Sequence, residues 1–268
     1  MKFSKIFILL SLLVIVSCSS KQDDEKAKQN QPIDKLYNDA MSKLNDTDYK
    51  GAIEGFEETQ RLYPYSEWAV RAEIMSAYAN YKAGKYENAI SISERFAKQH
   101  PTNINTPYAF YLKALCYYDQ ITDVGRDQRI TEEARKALGE LVRRFPDSDY
   151  SRDAKIKLDL VSDHLAGKEM EIGRYYENHE EYLAAINRFR SVVEQYQTTS
   201  HTPEALHRLV ECYLKLGIGE QAKKYASVLG YNYPQSYWYK ASYALMNGES
   251  LPQSSKEKSS LINKILPF

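Results

Sequence analysis

The stretch AYANYKAGKYENAISISERFAKQHPTN, residues 77–103, contains one complete structural unit of the chain. Ala89 is followed twelve residues later by Pro101, His100 precedes that proline, and Asn103 lies two residues beyond it. The same register recurs at Ala52, Ala134, Ala185 and Ala222, with the matching dipeptides Tyr63-Pro64, Phe145-Pro146, Tyr196-Gln197 and Tyr233-Pro234. Past each of these stand Ser66, Ser148, Thr199 and Ser236, residue types that cap helix N-termini as Asn103 does. Ala40, Ala77, Gly173 and Val210 precede four of the alanines by twelve residues, and Gly84 and Gly217 fall between. Small residues let two antiparallel helices approach, glycine turns the chain between them, and proline stops the second helix because it cannot continue the hydrogen-bond ladder. The register therefore predicts an all-α chain of about five helix-turn-helix units.

Tyr49, Tyr86 and Tyr182, with Phe56 and Phe189, recur at equivalent places in the second helices, and the spacing from Pro64 to Pro101 and from Gln197 to Pro234 is 37 residues. These features resemble the tetratricopeptide repeat, with a period of about 34. The resemblance implies a superhelical solenoid of about five tetratricopeptide-like repeats over residues 33–247. The middle units are longer, with residues inserted near Ile121 to Thr131 and around Lys155 to Lys168.

Residues 1–17 read as a signal peptide. Lys2 and Lys5 precede an apolar run from Ile6 to Val16, too short for a bilayer that takes about 20 residues. The run ends in Ile15-Val16-Ser17-Cys18, which resembles a bacterial lipobox. That resemblance implies lipidation of Cys18, permanent anchoring and, with Ser19 next, delivery to the outer membrane. Residues 18–32 read as the lipidated cysteine and a polar tether, in which only Ala27 is plainly apolar before Pro32, and which reaches on the order of 20 Å. The C-terminal tail, 248–268, mixes serine and lysine with Leu261-Ile262 and Ile265-Leu266 and reads either as a frayed end or as a short docking helix.

Lysine plus arginine equals aspartate plus glutamate at 36 each, and loss of Lys2 and Lys5 leaves the mature chain at a formal −2. Nucleic-acid binding leaves a basic footprint, and this balance argues against it. Cys116 and Cys212 lie among apolar neighbours in non-adjacent units and read as small buried hydrophobes rather than a disulfide. His100, His164, His179, His201 and His207 have no metal-ligand spacing, and no cofactor is expected. The chain lacks a Gly-x-Ser-x-Gly elbow, a His-Glu-x-x-His pair and a phosphate-cradling glycine loop, so it is expected not to be an enzyme. The acidic pairs Glu57-Glu58, Glu132-Glu133 and Glu180-Glu181 read as solvated charge, since neighbours on a helix face different ways.

Tyrosine is abundant, at 23 against 8 phenylalanines and 2 tryptophans. Its apolar face and hydroxyl suit half-exposed binding surfaces. Tyr37, Tyr78 and Tyr81 are the expected lining of a substrate groove, and some of Tyr108, Tyr111, Tyr117, Tyr118, Tyr175 and Tyr176 are expected on the same kind of surface.

The lipobox, the tether and the five repeats together resemble the BamD (ComL-type) family of outer-membrane protein assembly lipoproteins. The local strings Ala89-Ile90-Ser91-Ile92-Ser93-Glu94-Arg95-Phe96, Tyr182-Leu183-Ala184-Ala185-Ile186-Asn187-Arg188-Phe189-Arg190 and Gly125-Arg126-Asp127-Gln128-Arg129 carry the resemblance, while Gln197 stands where the family has proline. The resemblance implies a non-enzymatic member of the complex that inserts β-barrel proteins, lipid-anchored on the periplasmic face of the outer membrane. Its N-terminal repeats would bind unfolded outer-membrane chains. Its C-terminal repeats would hold the barrel subunit with periplasmic repeat domains, alongside accessory lipoproteins. Arg188, in the Asn-Arg pair of the fourth unit, is the implied partner contact, and Arg95 matches in the second. Two other readings stay open at this point: a structural repeat lipoprotein bridging peptidoglycan or division proteins, and an envelope hydrolase whose site leaves no motif.

Overall fold

A computed structural model describes residues 31–250, so Cys18, the signal segment, most of the tether and nearly all of the tail lie outside the described residues. Eleven helices make up the described chain, with no strand among them: α1 Ile33–Asn45, α2 Tyr49–Leu62, α3 Glu67–Lys82, α4 Tyr86–Gln99, α5 Thr106–Tyr118, α6 Arg129–Arg144, α7 Asp149–Asn178, α8 Tyr182–Gln195, α9 Thr202–Lys215, α10 Gly219–Asn232 and α11 Tyr237–Asn247. Eight of them form four consecutive pairs, α1 with α2, α3 with α4, α7 with α8 and α9 with α10; α5 and α6 flank an inserted loop, and α11 follows as a single helix. They gather into two compact units that divide within α5, after Cys116.

The alanine register sets the packing. Ala52, Ala89, Ala134, Ala185 and Ala222 are all fully buried, as are Ala77 and Val210. In the first unit Ala40, Leu44, Ala52, Ile53, Phe56, Ala72 and Ala79 form one core cluster, with Tyr37, Met41, Tyr49 and Tyr78 packed against it. In the second unit the fully buried Leu138, Leu141, Met170, Phe189, Leu206 and Leu209 are among the largest core side chains. At roughly 25 cal/mol per Å2 of apolar surface, this repeated burial is what makes the short helices stable.

The turn inside a pair has one geometry. Thr47, Gly84, Glu180 and Gly217 adopt the left-handed conformation, with φ of 62°, 71°, 62° and 75°. Each lies two residues before the next helix. The following amide, of Asp48, Lys85, Glu181 or Ile218, donates back to the carbonyl of Lys43, Asn80, Tyr176 or Tyr213 at 2.9 Å. This 6→1 bond closes the first helix and reverses the chain. Tyr49, Tyr86 and Tyr182 accordingly stand at the very start of their helices rather than inside them.

Between pairs, the capping expectation needs correcting at two of five places. Ser66, Ser148 and Ser236 accept from the amides of Ala69, Tyr150 and Tyr239 at 3.0, 3.3 and 3.0 Å. Asn103 and Thr199 do not cap: α5 and α9 start later, at Thr106 and Thr202, each followed by proline in its first turn. Proline tolerates that position because its missing N–H has no partner there anyway. A buried hydroxyl takes over the joint. Thr106 donates to the His100 carbonyl, Ser151 to that of Phe145 at 2.7 Å and Thr202 to that of Tyr196 at 3.0 Å. Each bond ties a helix start to the end of its predecessor. Thr106→Val keeps the shape and loses the bond, and chemical denaturation is expected to show a loss of about 1 kcal/mol.

The insertions take two forms. Around 155–168 the extra residues lengthen α7 into one 30-residue helix. Near 121–131 they form a loop organised by Gln128, whose side-chain amide donates to the carbonyls of Asp123, Val124 and Arg126 at 3.3, 3.1 and 2.9 Å. Lys168 on α7 holds the same loop through the Gly125 carbonyl at 3.3 Å. Cys116 and Cys212 are both buried.

Candidate functional site: two repeat-equivalent arginine grooves

Arg188 and Arg95 each border a groove, one in either unit. The larger, about 500 Å3, is lined by Glu132, Glu169, Tyr176, Asn187, Arg188 and Tyr196 among others. Arg188 projects from α8 and reaches Glu169 of α7 through Nη1 at 3.3 Å, with 42% of its side chain exposed. That single-nitrogen contact leaves most of the guanidinium fork available, and the fork suits bidentate recognition of a carboxylate. The opposite wall is Tyr196, whose hydroxyl donates to Glu132 at 3.3 Å and whose ring lies 5.5 Å from the Arg135 guanidinium. Burial, then the neighbouring Glu132 carboxylate, pushes the Tyr196 hydroxyl up to about 12, so it stays a donor. Glu132 is therefore more than solvated charge, since it fixes this wall of the groove.

The smaller groove, about 340 Å3, is lined by Gln60, Val70, Glu73, Arg95, Gln99 and His100 among others. Arg95 Nε donates to Glu73 Oε1 at 2.7 Å, and His100 Nε2 lies 3.6 Å from the other Glu73 oxygen. Glu73 is buried while the Arg95 side chain is 49% exposed. A buried carboxylate needs such partners, because an unpaired charge out of water is costly.

These grooves are the same place in two repeats. Glu73 precedes Ala77 by four residues and Glu169 precedes Gly173 by four; Gln99 and Gln195 follow Ala89 and Ala185 by ten, and His100 and Tyr196 follow them by eleven. The arginines break the register, Arg95 standing six residues after its alanine and Arg188 three. They come from successive turns of the second helix and still meet the equivalent acid. Sequence reasoning found both arginines but missed Glu73 and Glu169, since a single glutamate in a first helix has no local signature.

The three expected groove tyrosines are all half-buried. Tyr37 packs on Phe56 and Trp68, ring centroids 5.6 and 5.1 Å apart, and the Arg71 guanidinium sits 5.4 Å over Trp68. Burial raises the Tyr37 hydroxyl above its ordinary value, with Arg71 opposing. Tyr78 and Tyr81 form a separate chain of rings with Tyr86, at 6.3 and 6.1 Å. The expected lining thus divides into two aromatic clusters in the first unit.

A charged cluster joins α7 and α9 in the second unit, and α11 meets it through Ser242. Arg208 lies 3.6 Å from Glu177, 3.5 Å from Glu204 and 2.9 Å from Glu211, and Arg174 pairs with Glu204 at 3.1 Å. Burial, only partly offset by Arg208, raises the Glu177 carboxyl to about 7. His207 contacts the Ser242 hydroxyl at 2.8 Å through Nδ1, and burial with the adjacent Arg208 lowers it to about 4. Burial and the nearby Glu177 push the Cys212 thiol up to about 12. Among the described residues no group of three or more His, Cys, Asp and Glu is arranged to hold a metal ion.

Residues 29–229 match a family model described as YfiO, outer membrane lipoprotein. The chain is 48% identical over 223 residues to the outer membrane protein assembly factor BamD of Caulobacter vibrioides, covering 83% of this chain and 73% of that one. It is 45% identical over 248 residues to the protein of the same name from Rickettsia prowazekii, covering 92% and 98%. Among solved structures the tetratricopeptide-repeat domain of P58(IPK) is similar at a TM-score of 0.41 and 18% identity, over 81% of this chain and 56% of that one. With three quarters of its length matched by the family model and relatives 45–48% identical over most of the chain, this chain belongs to the YfiO family of outer membrane lipoproteins.

Proposed function

We propose that the chain takes part in the assembly of outer-membrane β-barrel proteins as a lipid-anchored, non-catalytic binding component. Lipidated through Cys18, it works at the periplasmic face of the outer membrane. The observation that carries this reading is 45% identity with the Rickettsia assembly factor over nearly the whole of both chains. The aromatic clusters around Tyr37 and around Tyr78 and Tyr81 take segments of unfolded outer-membrane chains. Arg188 docks the barrel subunit with periplasmic repeat domains, and Arg95 serves a second contact; accessory lipoproteins of the same complex bind elsewhere on the repeats. The half-exposed guanidinium of Arg188 supports its role. An arginine spent on a surface ion pair alone contributes about 0–1 kcal/mol, whereas one desolvated at an interface commonly costs more than about 1 kcal/mol when removed.

The test is a pull-down of the chain from detergent-solubilised outer membranes, wild type beside Arg188→Glu, with co-purified proteins identified by mass. The variant sets two carboxylates together at Glu169 and is expected to weaken capture of a large barrel protein at least tenfold, about 1.4 kcal/mol. Equal capture by both chains would remove Arg188 from the interface. Capture of cell-wall or division proteins with no barrel protein would overturn the assembly reading.

A further inference from the structure

The first unit has two edges of opposite character. One carries the left-handed turns of Thr47 and Gly84, and its tips are polar: Asp46, Thr47, Asp48, Lys85 and Glu87 are all exposed. On the other edge the second helices end and the first helices begin. There Tyr65, in the turn from α2 to α3, is 101% exposed, and Ile104, in the turn from α4 to α5, is 89% exposed. These are the only large apolar side chains that the described residues of the first unit leave exposed. Turns favour glycine, proline, asparagine, aspartate and serine, so neither residue is demanded by the geometry around it.

The tether leaves from that same edge. Residue 31, at the start of the described chain, is fixed there by a hydrogen bond from the Tyr63 hydroxyl to the Gln31 carbonyl at 2.8 Å. Cys18 is thirteen residues further back in the sequence, and a polar tether of that length reaches about 20 Å. A lipid on Cys18 therefore holds the Tyr65–Ile104 edge, rather than the polar one, nearest the bilayer. Isolated exposed apolar residues are ordinary on protein surfaces. Two such residues on the edge from which the tether leaves, with none elsewhere among the described residues of the unit, form a pattern.

We propose that Tyr65 and Ile104 dip into the lipid headgroup region and fix the orientation of the first unit on the membrane. Tyrosine suits that zone, with an apolar ring and a hydroxyl that stays wet, and isoleucine gains by leaving water. A single anchor point sets distance but not direction. Two side chains at the edge add the direction, so the aromatic clusters at Tyr37 and Tyr78 face the periplasm in a defined way. The proposal rests on lipidation of Cys18.

The test uses the full lipidated chain in vesicles of phosphatidylethanolamine and phosphatidylglycerol. Tyr65→Cys, Ile104→Cys and, on the polar edge, Glu87→Cys are each labelled with an environment-sensitive fluorophore; Cys116 and Cys212 are buried and Cys18 carries the lipid. Expected are a blue shift and a several-fold gain in fluorescence at positions 65 and 104, quenched by nitroxide lipids, and neither at position 87. A chain that floats with the vesicles while all three labels behave alike overturns the proposal and leaves the anchor intact; it would point to a protein partner for this edge. A chain that does not float overturns the anchor and the proposal with it.

Discussion

Phe189→Ala is expected to destabilise the second unit by about 3–5 kcal/mol, the range for emptying a phenylalanine site in a close-packed core. Phe189 is fully buried. Its ring fills the space left by a missing side chain: a Cβ on Gly173 would stand 2.4 Å from one ring carbon and 2.7 Å from the next. Gly173→Ala should therefore cost about 1–3 kcal/mol through overpacking, although alanine is the better helix former at an α7 interior position. The two changes should also compensate. In the double variant the new methyl group enters the space vacated by the ring, so its cost falls below the sum of the singles. Chemical denaturation of the three variants measures the coupling directly. Additive losses would mean that ring and glycine do not share one packing site.

Arg208→Met should be the most damaging change among the charges. Breaking a buried pair costs about 3–5 kcal/mol when the partner is left uncompensated, and Arg208 serves Glu177, Glu204 and Glu211 together. Partial exposure of its side chain, 26%, puts the loss toward the lower end. The loss should depend on pH with a definite sign. Glu177 has its folded value raised to about 7, above that of a carboxyl in an unfolded chain. The native state thus holds this proton more tightly, and stability falls as pH rises through 7 and recovers as it drops. His207 acts oppositely: its folded value of about 4 lies below the unfolded one, so its contribution is present above about 6.5 and lost as pH falls toward 4. Wild-type stability should therefore rise from pH 8 to about 6.5 and then flatten, as the two effects cancel. With Arg208 gone, Glu177 is harder still to ionise. The gap between wild type and variant should be wide at pH 8 and narrower at pH 6. A gap of equal width at both values would place the cost in lost packing alone.

The fold was legible wherever a single residue type carries a backbone requirement. Gly84 and Gly217 mark their turns because glycine enters the left-handed region freely. Thr47 and Glu180 occupy the same conformation unannounced, since neither residue signals it and only the closing 6→1 bond holds it there. Ala52, Ala89, Ala134, Ala185 and Ala222 were readable because helix approach admits little else. Asn103 and Thr199 looked like caps by type and were displaced by Thr106 and Thr202, whose hydroxyls tie the joint to the previous helix. The candidate site was legible by half. Arg95 and Arg188 stood out through their neighbours in sequence, whereas Glu73 and Glu169 come from other helices, at separations of 22 and 19 residues. Pairing across helices is decided by packing, and packing leaves no mark on a local string.

The length of α7 has a mechanical meaning. Lys168 holds the inserted loop, Glu169 meets Arg188, and Arg174 and Glu177 enter the cluster with Glu204 and Arg208. All four stand on less than three turns of one rod roughly 45 Å long. Successive residues point about 100° apart around a helix, so these groups share one rotation and one slide. A torque delivered at the loop cannot be absorbed there. It turns the acid under Arg188 and the half-buried carboxylate of Glu177 through the same angle, making the helix a single shaft with three bearings.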